Sequence, residues 1–104
     1  MKVTFLGISG GVQSPESGNV SFFVTEGKTS VLAEVSGNPA GELTACGVDP
    51  AELDTVLLSH AHVDHIYALP SLLHNMWLLK RSRPLPIFAN VPTLETARTL
   101  CAVF

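Results

Sequence analysis

The chain has 104 residues, of which 46% are hydrophobic and 14% charged, with a formal net charge of −3. That length suits one compact domain, and the apolar content argues against disorder. The small negative charge gives no support for a surface that tracks nucleic acid along its whole extent, but it leaves room for a local basic patch.

No apolar run approaches the roughly 20 residues that a bilayer span requires, so no membrane role is expected. Met1 to Leu6 carries one lysine and meets Gly7, Gly10 and Gly11 too early for a signal-peptide core, so the chain reads as cytoplasmic. Cys46 and Cys101 lie far apart without Cys-x-x-Cys spacing and are expected as reduced, mostly buried thiols.

In chain order, Val3 and Phe5 alternate with Thr4 and Leu6 as a first strand. Gly7 to Ser17, rich in Gly, Ser and Pro, reads as a loop. Val20 to Thr25 and Ser30 to Val35 are β-prone runs joined through Glu26-Gly27-Lys28, a hairpin signal. A short helix after Pro39 ends near Gly47, where glycine can take a left-handed cap. Asp49-Pro50-Ala51-Glu52 then marks a helix start, with Asp49 capping, Pro50 in the first position and Glu52 able to reach back to the cap amide. It can be only a turn or so, because the apolar run Thr55 to Ser59 follows. Such a run is usually a strand buried on both faces, as in a layered α/β protein.

Leu69, Leu72, Leu73, Met76 and Leu79 recur at helical spacing, with Pro70 near the start. Arg83-Pro84-Leu85-Pro86 breaks that helix, and Ile87-Phe88-Ala89 can form another strand. Pro92 opens a last helix whose Leu94, Ala97, Leu100, Cys101 and Phe104 share one stripe. The stripe runs to Phe104 without a capping glycine, asparagine or basic last turn. The expectation is a single incomplete domain over 1–104, the first part of something larger.

Between the apolar strand and the leucine-rich helix lies His60-Ala61-His62-Val63-Asp64-His65, holding three of the four histidines. In an extended segment i and i+2 point the same way, so His60 and His62 can grip one ion. If the chain then turns into a helix, Asp64 and His65 can face a second ion. Imidazole and carboxylate suit zinc, with manganese or iron as substitutes. Two ions about 3.5–4 Å apart can hold a hydroxide and clamp the oxygen of an attacked phosphoryl or carbonyl group. The bland alternative is a polar loop whose histidines cluster by chance, paired with Asp64 at the surface. The strand before the motif and the helix after it favour the metal reading.

Ser59 to Ile66, followed by Leu69-Pro70, resembles the metallo-β-lactamase superfamily, and within it the phosphodiesterase branch of ribonuclease Z and the class II cyclic-nucleotide phosphodiesterases. Phe5-Leu6-Gly7-Ile8-Ser9-Gly10-Gly11, Asn19 and the hairpin are similar to the start of those proteins. Pro86-Ile87-Phe88-Ala89 and Pro92-Thr93-Leu94-Glu95 are similar to the strand and helix that follow. The resemblance implies the N-terminal half of an αβ/βα sandwich, an α/β fold with a mixed sheet and helices packed on it. It implies two divalent ions, foremost Zn²⁺ with Mn²⁺ or Fe²⁺ as alternatives, His60 and His62 on the first and Asp64 and His65 on the second. Asp64 would also handle the proton of the attacking water.

The implied function is a metal-dependent phosphodiester hydrolase, with hydroxide held by the metals attacking a phosphodiester such as a 3′,5′-cyclic nucleotide. Alternatives are a ribonuclease Z-like nuclease for transfer-RNA 3′ ends, another hydrolase of the superfamily acting on a thioester or lactam, and a noncatalytic metal-binding or assembly module. The family's Asp-x-Gly after the third strand is replaced by Glu34 in Ala33-Glu34-Val35-Ser36-Gly37. Glu34 either hydrogen-bonds a ligating histidine from behind or stays a solvated strand residue. The family's remaining ligands fall in the second half of the fold, so these residues alone are expected to be inactive and to self-associate through an open apolar face.

Among lesser candidates, Ser9, Gly10 and Gly11 could present backbone amides to a phosphate or form a plain tight turn. His74 reads as a helix-surface or packed histidine. Lys80, Arg81 and Arg83 read as solvated charges that complement a helix dipole, with phosphate contact the lesser option. Met76 and Trp77 read as core or interface packing.

Overall fold

A computed structural model describes the chain over residues 1–104. Strands β1 (Lys2–Gly7), β2 (Ser21–Glu26) and β3 (Thr29–Ala33) form an antiparallel meander, which β4 (Thr55–Leu57) and β5 (Ile87–Phe88) extend in parallel. The sheet is therefore mixed, in the order β1-β2-β3-β4-β5. Glu26 pairs with Thr29 across the two-residue turn Gly27-Lys28, where Gly27 takes φ 59°.

Parallel pairing needs crossovers, which helices supply. Between β3 and β4 run α1 (Pro39–Ala45) and a 3₁₀ turn (Pro50–Glu52); between β4 and β5 run α2 (Val63–Ile66) and α3 (Leu69–Leu78); α4 (Val91–Ala102) follows β5. Helix α1 ends as its sequence demands: Gly47 at φ 80° donates to Thr44 O at 2.9 Å and Val48 to Leu43 O at 2.9 Å. Asp49 caps the 3₁₀ turn by accepting from Ala51 N at 2.9 Å, whereas Glu52 makes no side-chain bond back to the cap.

The core lies on one face of the sheet. Phe23, Leu32, Val56 and Leu58 pack there against Leu43, Leu53, Leu69, Leu72 and Met76. Each fully buried leucine contributes roughly 1.5–3 kcal/mol. The opposite face is different. Cross-strand partners share a face, and the row Phe5-Phe22-Ala33-Leu57-Phe88 spans all five strands. Phe5, Leu57 and Phe88 in that row are 65%, 47% and 60% exposed.

Several sequence expectations shift. The run Thr55 to Ser59 was expected to be buried on both faces, but Leu57 is open because only one side of β4 carries helices. The third strand stops at Ala33 rather than Val35, since Glu34 adopts φ 65° and turns out of the sheet. Leu79 and Phe104 lie outside the packed stripes, and Trp77 is solvent-facing while Met76 is core. Cys46 is exposed rather than buried; Cys101 is half-buried, with burial pushing its thiol pKa up, and both are free.

The three basic residues after α3 are not a solvated trio. Lys80 sits at φ 67° in the left-handed cap of α3, and Arg81 donates to the carbonyls of Ala51, Leu53, Arg83 and Pro84. Arg83 reaches Asp54 and the Glu52 carbonyl. Bare carbonyls at the ends of the 3₁₀ turn attract guanidinium donors more strongly than water does. No helix is long and apolar enough to cross a membrane.

Candidate metal centre

Strand β4 ends at Leu57, and the chain leaves the sheet through Leu58 and Ser59 into the histidine motif, at the carboxyl edge where α/β sheets place ligands. His62 is still extended, at φ −64° and ψ 144°, and α2 begins with the next residue. This change from extended to helical backbone gathers the side chains. The His60 ring lies 4.5 Å from that of His62 and 4.2 Å from that of His65, centre to centre. His65 Nε2 lies 3.3 Å from Asp64 Oδ2.

Glu34 braces this group from below. Its carboxylate, 6% exposed with its residue, accepts from Ser59 N at 2.9 Å through Oε1 and from His65 Nδ1 at 2.8 Å through Oε2. A buried carboxylate needs such donors, and it places the His65 proton on Nδ1, leaving Nε2 as the lone-pair nitrogen. His60 Nδ1 is likewise tied, to Ser59 Oγ at 2.8 Å. The backbone of Glu34 is held in the left-handed region, where a non-glycine residue costs about 1–2 kcal/mol. The bonds around it offset that strain: Glu34 N donates to Leu57 O at 2.9 Å, Ser21 Oγ to Glu34 O at 3.0 Å, and Val35 N to His65 O at 2.9 Å. The kink thus lays residues 34–36 along the motif helix.

The donors suit a divalent ion in kind and lie close together, but no group of three or more His, Cys, Asp or Glu donors is set to hold an ion. The glycine turn lies beside them. A Cβ on Gly11 would come 3.9 Å from Asp64 Oδ2. The Ser9 amide is already taken by Gly18 O at 3.0 Å, and its hydroxyl donates to Ser17 O at 3.0 Å, so Ser9 has no free amide for an anion. Gly7, at the end of β1, leaves no room for a side chain, because a Cβ there would collide with the Asn19 carbonyl oxygen.

His74 is exposed on α3, its ring 5.8 Å from Trp77 and apart from the motif. Sequence reasoning passed over Gln13 and Tyr67, which link the turn to the motif helix: Gln13 Nε2 donates to Tyr67 Oη at 2.9 Å. An exposed glutamine and a lone tyrosine carry no signal of their own.

A mixed sheet with helices on one face and a His-x-His-x-Asp-His loop at the carboxyl end of its fourth strand is the architecture of the metallo-β-lactamase fold. Among solved structures, the short form of human tRNase Z superposes with TM-score 0.83 at 23% identity, covering 99% of this chain and 39% of that one. The metallo-β-lactamase fold protein YhfI from Bacillus subtilis superposes with TM-score 0.77 at 26% identity, covering 94% and 41%.

The chain belongs to the family described as anti-Pycsar protein Apyc1, whose model matches residues 1–97. It is also similar to ribonuclease Z of Archaeoglobus fulgidus, 31% identical over 103 residues, and to that of Pyrococcus abyssi, 28% identical over 100 residues. The chain spans about a third of the length of these relatives, 33% of each, while the matches cover 99% and 96% of it.

Proposed function

We propose that this chain carries half of the active site of a metal-dependent phosphodiester hydrolase. The observation that carries the reading is the convergence of three imidazoles and Asp64 at the end of β4, braced by the buried Glu34 carboxylate. His60 and His62 would hold one divalent ion and Asp64 and His65 a second, with zinc the metal that best suits this donor set. Bound there, such ions supply a water of lowered pKa and polarise a phosphoryl oxygen.

The chain's own residues do the rest. Glu34 fixes the tautomer and tilt of His65, and the Ser59 hydroxyl holds the tilt of His60. Asp64 presents a carboxylate, partly exposed and next to the Gly11 backbone, that can accept the proton of the attacking water. The substrate we favour is a small phosphodiester such as a 3′,5′-cyclic nucleotide. The second reading is an RNA 3′ end, supported by the ribonuclease Z relatives. Self-association through the row Phe5, Phe22, Leu57 and Phe88 is a further proposal, tested by light scattering of the purified chain; a monomer at all concentrations would refute it.

The decisive experiment offers the whole protein, with both halves of the site and metal content measured, bis(p-nitrophenyl) phosphate, 2′,3′- and 3′,5′-cyclic nucleotides, precursor transfer RNA and a thioester. Phosphodiester cleavage that tracks metal content is expected. Turnover of the thioester alone would overturn the reading.

A further inference from the structure

The turn beside the metal loop is pinned by its carbonyls, and that leaves its amides free. Asn19, 2% exposed, sends Nδ2 to Gly10 O at 2.5 Å and to Gly11 O at 3.3 Å. In a trans peptide the carbonyl and the following N–H point in opposite directions. Holding those two carbonyls therefore turns the Gly11 and Val12 amides away from Asn19. Neither amide donates to any group of the chain, and both residues are exposed. Consecutive unpaired N–H groups in a glycine turn make an anion-binding concavity.

The turn is also fixed to the metal helix. Asn19 Oδ1 accepts from Gln13 Nε2 at 2.8 Å, and the same nitrogen donates to Tyr67 Oη at 2.9 Å. Tyr67 Oη accepts in addition from Gly37 N at 2.6 Å. Tyr67 is the residue that ends α2, directly after the helix bearing Asp64 and His65. A chain of hydrogen bonds thus joins the carbonyls of the turn to the motif. Gly11, with no side chain, keeps the space in front of Asp64 open.

We propose that the Gly11 and Val12 amides form a site for a nonbridging oxygen of a phosphoryl group, and that Asn19, Gln13 and Tyr67 are positioning residues that aim them. The identity of the anion rests on the phosphodiesterase reading. An ionised Asp64 beside the turn disfavours a free anion, so the site is expected to fill when cations match that charge.

Inorganic phosphate titrated into the zinc-loaded whole protein, followed by amide-resolved NMR, is expected to shift the Gly11 and Val12 N–H signals together and saturably. Tyr67→Phe, which removes one hydroxyl from a half-buried ring, is expected to weaken phosphate binding about 3–10-fold. KM for bis(p-nitrophenyl) phosphate should rise by a like factor, with kcat held within about twofold, as for an interaction equal in ground and transition states. Val12→Pro deletes one of the two donors on an exposed residue and is expected to have the same effect on both readouts. Unchanged metal content and melting temperature separate lost aim from lost fold. Phosphate binding that leaves the Gly11 and Val12 signals in place, or that is equally tight in both variants, overturns the anion site even if the diester is cleaved. Amides that respond in a whole protein that cleaves no phosphodiester uphold the anion site and sink the hydrolase reading instead.

Discussion

Strand β4 has a polar cluster at each end, and the two are built on opposite terms. At its amino end Asp54 accepts from Ser30 N at 2.7 Å, from Ser30 Oγ at 3.1 Å and from Arg83 Nη1 at 3.0 Å, while Arg81 is spent on four carbonyls. Every strong donor there has its acceptor. At the carboxyl end three imidazoles crowd together, two with Nδ1 anchored, and the His62 ring bonds to nothing else in the chain. A saturated cluster holds architecture in place. One with spare lone pairs beside a strained, buried carboxylate has capacity left for a ligand.

The sharpest way to break this comparison is to empty the carboxyl end. Asp64→Asn is expected to lower phosphodiester cleavage by the whole protein about 10²–10⁴-fold, as loss of a positioned proton acceptor does, with the melting temperature of the metal-free chain unchanged. Equal activity would place Asp64 among the architectural residues. Glu34→Gln keeps the length and loses the charge; metal affinity, read by competition with a chelator, is expected to fall about 10–100-fold. An unchanged affinity would make the brace merely structural.

At the amino end the same logic predicts stability effects without activity effects. Arg81→Ala strands buried carbonyls of the 3₁₀ turn and is expected to lower unfolding free energy by about 2 kcal/mol in urea titration. Asp54 gives the pH signature: the Ser30 amide first, then Arg83, holds its carboxyl below the usual carboxylate range. A lowered folded pKa contributes stability that is present above the unfolded value, about 3.9, and lost as pH falls through the folded one. The urea midpoint should therefore drop below about pH 4, and Asp54→Asn should flatten that part of the curve. The smallest effect has the opposite sign. Lys80→Gly, which relieves a side chain at φ 67°, is expected to stabilise by about 0.5 kcal/mol.

Much of this fold was legible because local rules write it. Gly27 and Gly47 punctuate where positive φ is required, Pro50, Pro70 and Pro92 open helical turns, and apolar alternation marks the strands. The early end of β3 was not legible. Glu34 reads as a strand residue from its neighbours, and its left-handed backbone is held by Ser21 and Leu57 while its carboxylate is held by Ser59 and His65, all far from it in the chain. Arg81 misled for a like reason: its partners belong to the 3₁₀ turn, about 30 residues earlier.

What the sequence determined by itself was the chemistry on offer: three imidazoles and a carboxylate within six residues, spaced so that any strand-to-helix transition would gather them. Side-chain type and backbone period are local properties, and a single stretch of chain carries them whole. Which nitrogen His65 keeps free, which carbonyls the basic residues cover and which way the glycine amides face were decided only by tertiary structure. Those depend on hydrogen bonds between segments far apart in the chain, where orientation is set by the partner and not by the residue.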